Sequence, residues 1–203
     1  MFRHASGILV AAMILTACTA TPRNDPATTS GTTTSETPRS TVAPEVPQPV
    51  DLQPHRLHSC ALLTAAQTED LDFPPQTFEG ANVDAGTCEW EWTDSAPDRV
   101  EQYLYVLDVH MTGDPLGHNY LEGNRRTSQG KWVWGTFEPT TIRGLPAVVM
   151  AMDDPTSYCN VVVGFGGSQG IEISADVTEG FEKPKLCESL VEAAGLIIDS
   201  VRR

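Results

Sequence analysis

The sequence predicts an α+β domain. Its sheet is antiparallel, with about five or six strands. A short N-terminal helix and a C-terminal amphipathic helix pack on it, and two disulfides hold it. Three observations predict this. Apolar and polar residues alternate through several short segments between residues 88 and 177, the period of a strand with one wet face. The last segment of the chain switches to a helical period. Four cysteines fall between residues 60 and 187, in a chain whose N-terminus reads as an export signal.

The elements follow in chain order. Arg3 and His4 form a basic start, and Gly7 to Leu15 is an unbroken apolar or small run. A mature transmembrane helix needs roughly 20 residues, so the run fits a signal peptide over residues 1–17. Leu15-Thr16-Ala17-Cys18 then has the form of a bacterial lipobox. Cys18 is the expected lipid-attachment residue and mature N-terminus. Two acyl chains on its thiol would contribute about 20 kcal/mol of membrane affinity, enough for stable anchoring without a spanning helix.

Residues 18–55 read as a disordered tether. Between residues 19 and 50 there are 12 Ser/Thr and 6 Pro, with no aromatic residue. Such a composition buries too little surface to offset its conformational entropy. It is also a candidate for O-glycosylation. The single folded extracytoplasmic domain is then residues 56–203.

Thr64-Ala65-Ala66-Gln67 matches a capping box, so a short helix is expected from Ala65 to Leu71, ending before Pro74-Pro75. Strands are expected at Cys88–Trp92, Tyr103–Met111, Lys131–Trp134, Ala147–Met152, Tyr158–Phe165 and Ile171–Val177. Asp153-Asp154-Pro155 marks one turn between them. Cys187, Leu190, Val191, Ala194, Ile197, Ile198 and Val201 then share one helical face.

With Cys18 assigned to lipid, Cys60, Cys88, Cys159 and Cys187 remain as disulfide cysteines. Four cysteines allow three connectivities, and sequence does not choose among them. Cys60–Cys88 with Cys159–Cys187 is the preferred pairing, because each link would tie a helix start to a strand. No C-x-x-C spacing points to zinc or thioredoxin-like chemistry.

The chain carries 27 Asp+Glu against 13 Lys+Arg, a formal charge of −14. That excludes binding nucleic acid through a general phosphate-neutralising surface. It also leaves no polybasic patch for anionic lipid. Gly166-Gly167-Ser168-Gln169-Gly170 is a literal G-x-S-x-G, but a strand-like pattern follows it and no His lies downstream, so a hairpin turn is expected. His55 and His58 lack a supporting carboxylate motif for a metal. Asp108 and His110 read as a solvated strand face rather than an acid–base pair. Asp70-Leu71-Asp72 lacks the Gly and Glu of a calcium loop. No catalytic residue, metal or cofactor is expected. Trp90, Trp92, Trp132 and Trp134 come as two W-x-W pairs. Core packing is their ordinary reading, and an aromatic-lined ligand cleft the sharper one.

Cys60-Ala61-Leu62-Leu63-Thr64, Cys88-Glu89-Trp90, Gly144-Leu145-Pro146-Ala147, Tyr158-Cys159-Asn160-Val161 and Leu186-Cys187 occur in order across the domain. This set resembles the actinobacterial lipoproteins of domain-of-unknown-function family 3558. The resemblance implies a secreted, lipid-anchored α+β domain with two disulfides in a Gram-positive envelope, and no established activity. The expected function is a non-enzymatic binding or interaction module for an envelope ligand or partner, held on the outer face of the cytoplasmic membrane. The alternatives are an envelope hydrolase using acidic residues and an accessory subunit of an envelope complex.

Overall fold

The structure is a computed structural model, and it describes residues 39–81, 85–96, 99–125, 131, 133–153, 155–178 and 185–203. The proposed signal peptide, Cys18 and Trp132 lie outside the described residues.

The fold is α+β, with a seven-stranded sheet in the order β1-β2-β3-β7-β6-β5-β4. The strands are β1 (Gln76–Ala81), β2 (Ala85–Ala96), β3 (Arg99–His110), β4 (Thr136–Ile142), β5 (Leu145–Ala151), β6 (Tyr158–Gly166) and β7 (Gln169–Val177). Every neighbouring pair is antiparallel. Two meanders, β1-β2-β3 and β4-β5-β6-β7, meet where β3 pairs with β7. The helices are α1 (Ala65–Asp70), α2 (Pro115–Glu122) and α3 (Leu186–Val201).

The strand at Lys131–Trp134 is a misreading: residues 131, 133 and 134 lie in a loop. The strand that follows is β4, which contains Pro139. Pro cannot donate to a ladder, so an edge strand is the place that tolerates it. Strand β1 has no apolar alternation because nearly all of it is exposed. These two edge strands raise the strand count to seven. Helix α2 was also not expected. Asp114 caps it, with its Oδ1 accepting from Gly117 N (3.1 Å), and Pro115 opens it.

One face of the sheet packs against α3 and against Leu62, Leu63, Leu71 and Phe73 from the turns that flank α1, whereas α1 itself, expected on the sheet, buries no side chain. Tyr105, Leu107, Val161, Val163, Ile171, Ile173 and Ala175 are fully buried there, beneath Leu190, Ala194, Ile197 and Ile198 of α3. On the opposite face α2 lies over β5, β6 and β7. There Leu116 and Tyr120 of α2 pack on Val148, Met150 and Val162. The hairpin between β6 and β7 turns on Gly167 (φ 58°) and Ser168 (φ 67°), so the G-x-S-x-G segment is a two-residue turn with both central residues left-handed.

The stretch from residue 39 to 55 departs from the expected disordered tether. It forms a strap along the domain, and Pro38–Arg203 is one compact unit. Leu52 is fully buried, and Val46 and Val50 pack on the main core. Val50 N donates to Phe165 O (2.9 Å), and Leu52 N donates to Gln169 Oε1 (2.8 Å). Arg39 Nη1 donates to the carbonyls of Gly123 (3.0 Å) and Trp134 (3.2 Å). A Pro-rich segment loses less entropy on ordering, so a few apolar anchors and chain-end hydrogen bonds hold it.

Candidate functional site

The candidate site is a groove of about 400 Å³ between α1 with its following turn, the start of β1 and the middle of β2. Local sequence builds it. Thr64 Oγ1 accepts from Gln67 N (3.3 Å) while Gln67 Oε1 accepts from Thr64 N (2.8 Å), closing the expected capping box. Helix α1 then ends in a turn at Asp72 (φ 58°), and Pro74-Pro75 leads the chain out to β1. The disulfide Cys60–Cys88, with Cα atoms 5.0 Å apart, ties the turn before α1 to β2.

The floor of the groove is aromatic. Phe73 meets Trp90 edge to face (centroids 5.5 Å) and stacks on Tyr105 (4.2 Å). Both Phe73 and Trp90 are buried, and both line the groove. Leu63 adds an apolar wall, and Thr68, Glu69 and Asp72 line the polar side. The site offers apolar contact below and carboxylates at the lip.

The tryptophans do not converge on one cleft. Trp90 belongs to the α3-side core and lines the groove. Trp92 is on the same strand face but 39% exposed, and packs on Tyr103 at 5.4 Å. Trp134 lies on the other side of the sheet, against the α2 cluster, with its ring 5.6 Å from that of Tyr158. Alternation put Trp90 and Trp92 on one face correctly. It failed for Trp134, which is in a loop.

Asp108 and His110 make different partners. Asp108 Oδ1 accepts from Thr87 Oγ1 (2.6 Å), whereas His110 Nε2 is 3.7 Å from Glu172. Glu172 also accepts from Asn160 Nδ2 (2.7 Å). These groups belong to a polar strip on the face opposite α3. Beside it, burial first, and then Glu172 and Asp176, push the Tyr158 hydroxyl up to about 12. His55 and His58 lie in the turns before Cys60. Among the described residues no group of three or more His, Cys, Asp or Glu is placed to hold a metal ion. No helix among them is long and apolar enough to cross a membrane.

The second disulfide, Cys159–Cys187, links β6 to the first turn of α3 (Cα–Cα 5.5 Å). With both disulfides and the terminal helix in place, the comparison with known families is decisive. The model of the family described as "Protein of unknown function (DUF3558)" matches residues 13–200. The chain belongs to that family. No curated protein and no solved structure matches this DUF3558 chain. Site residues that sequence reasoning missed are Phe73, Glu69 and Asp72. The signal was the Asp72-Phe73-Pro74-Pro75 run, where a large aromatic sits beside a turn that must face the sheet.

Proposed function

We propose that this DUF3558 protein is an exported lipoprotein, acylated at Cys18 and held on the outer face of the cytoplasmic membrane. Its domain binds an envelope ligand in the groove between α1 and β2. The observation that carries the reading is the pairing of an aromatic floor, Phe73 and Trp90, with carboxylates at the lip, Glu69 and Asp72. An apolar recess with a few directed polar groups is the ordinary form of a small-ligand site. The ligand class it suits has an apolar face and hydroxyl or cationic groups, as a glycan or a lipid headgroup does.

Native mass spectrometry of the full chain purified from its own envelope tests this. A co-purifying lipid or glycan is expected, and it should be lost in Glu69→Lys, an exposed position whose substitution leaves the core intact. Repeated purification without any bound molecule would count against the groove. Anchoring is tested separately: Cys18→Ser is expected to release the protein from the membrane fraction.

A further inference from the structure

The strongest unassigned feature is at the opposite end of the sheet. Strands β4 and β5 are joined by a two-residue turn at Arg143 (φ 50°) and Gly144 (φ 82°), with Ile142 paired to Leu145. Both central residues are left-handed, so the first position favours Asn, Asp or Gly. Among the described residues, the other hairpin of this kind has Gly167 there. An arginine at that place is disfavoured by its backbone, which points to a use for its side chain.

A second arginine reaches the same spot from another element. Arg202, at the C-terminal cap of α3, donates from Nη1 to the Arg143 carbonyl (2.7 Å). Arg143 uses its Nε edge on Asp199 (3.4 Å), and its terminal guanidinium nitrogens have no partner among the described residues. The two side chains line a cleft of about 480 Å³, closed by Pro47 and Gln48 of the strap and by Leu145. A Cβ built on Gly144 meets nothing within 4 Å, so the tip is open to a ligand. In a chain of formal charge −14, two guanidiniums facing one carboxylate form a local positive pole.

We propose that this cleft binds a phosphate-class oxyanion through Arg143 and Arg202. Planar guanidinium forks match phosphate geometry in a way that a point charge does not. The site is separate from the groove, and stands or falls independently of it.

The test uses the full chain with Cys18→Ser, so that acyl chains do not themselves hold it to vesicles. Inorganic phosphate is titrated at constant ionic strength while the Arg143 Nε–H signal is followed by NMR. Binding to phosphatidylglycerol and phosphatidylcholine vesicles is measured in parallel. A saturable Arg143 shift is expected. Arg143→Gly should weaken phosphate binding by about tenfold or more, the loss of a charge-assisted contact. Glycine suits this turn, so its Tm should stay equal or rise. Selective binding to phosphatidylglycerol would identify a lipid headgroup, and phosphate binding alone a soluble phosphate ester. Either result supports the site. It is overturned if neither probe binds, or if Arg143→Gly binds phosphate as tightly as the parent chain.

Discussion

The two disulfides close loops of the same length, 28 positions each, in unlike surroundings. Cys159–Cys187 joins β6, buried along nearly its whole length, to a 16-residue helix whose inner face is fully buried. Cys60–Cys88 joins a short turn to β2 beside α1, a helix of six residues with no buried side chain. Each crosslink restricts the unfolded chain equally, by about 3.5 kcal/mol in the chain-entropy model. They differ in what remains without them. Helix α3 keeps a large apolar interface. Helix α1 is too short to persist alone, and isolated helices below about 12 residues are marginal in water. One crosslink therefore reinforces packing, and the other stands in for it.

The sharpest way to break that comparison is to remove each disulfide in turn. Cys60→Ala with Cys88→Ala, and Cys159→Ala with Cys187→Ala, should each lower stability by about 3.5 kcal/mol in chemical denaturation. Amide exchange should separate them. Without Cys60–Cys88, residues 59–75 lose protection below the global unfolding level. Without Cys159–Cys187, α3 retains protection up to that level. Equal local loss in both variants would show that the surroundings do not matter.

Leu190→Ala probes the packed side directly and should cost about 3 kcal/mol through lost burial and a residual cavity, read from the denaturation midpoint. Thr64→Ala removes the α1 cap at an exposed position and should cost about 1 kcal/mol. Its effect on exchange should be confined to α1 and the groove. A global effect of that size would mean α1 is coupled to the core more tightly than its exposed residues imply.

The smallest effect concerns pH and lies on the α2 side of the sheet. Tyr158 is raised from 10.0 to about 12, so the fold holds its neutral form. Stability from this group is fully present below pH 10, where the unfolded chain is also protonated. It is lost as pH rises from 10 towards 12, because the unfolded tyrosine ionises first. Tyr158→Phe should flatten part of that alkaline decline.

Much of this architecture was legible, for identifiable reasons. The apolar positions from Cys187 to Val201 repeat at helical spacing because α3 lies with one face on the sheet, and the helix spans Leu186–Val201. The capping box at Thr64 and Gln67 is a local interaction, so local sequence encodes it. Strands β3, β6 and β7 alternate or run apolar because they are central. The edge strands β1 and β4 carry no such pattern, since one side of each is solvent. The strap was hidden for a different reason. Its order comes from Phe165, Gln169 and Trp134, more than 90 residues away, and no local period reports a contact of that range. The groove was half legible: Trp90 was a candidate, while Phe73 and Glu69 converge on it only through the turn after α1.

The strap also sets how the molecule would carry mechanical load. A pull entering at Arg39 peels the strap contact by contact, first at Gly123 and Trp134, then at Phe165 and Gln169. The force next reaches Cys60 and crosses the sulfur bridge straight into β2. The contour between Cys60 and Cys88, which includes α1 and the wall of the groove, is shunted out of the line of tension. The groove would keep its shape while the strap is drawn away.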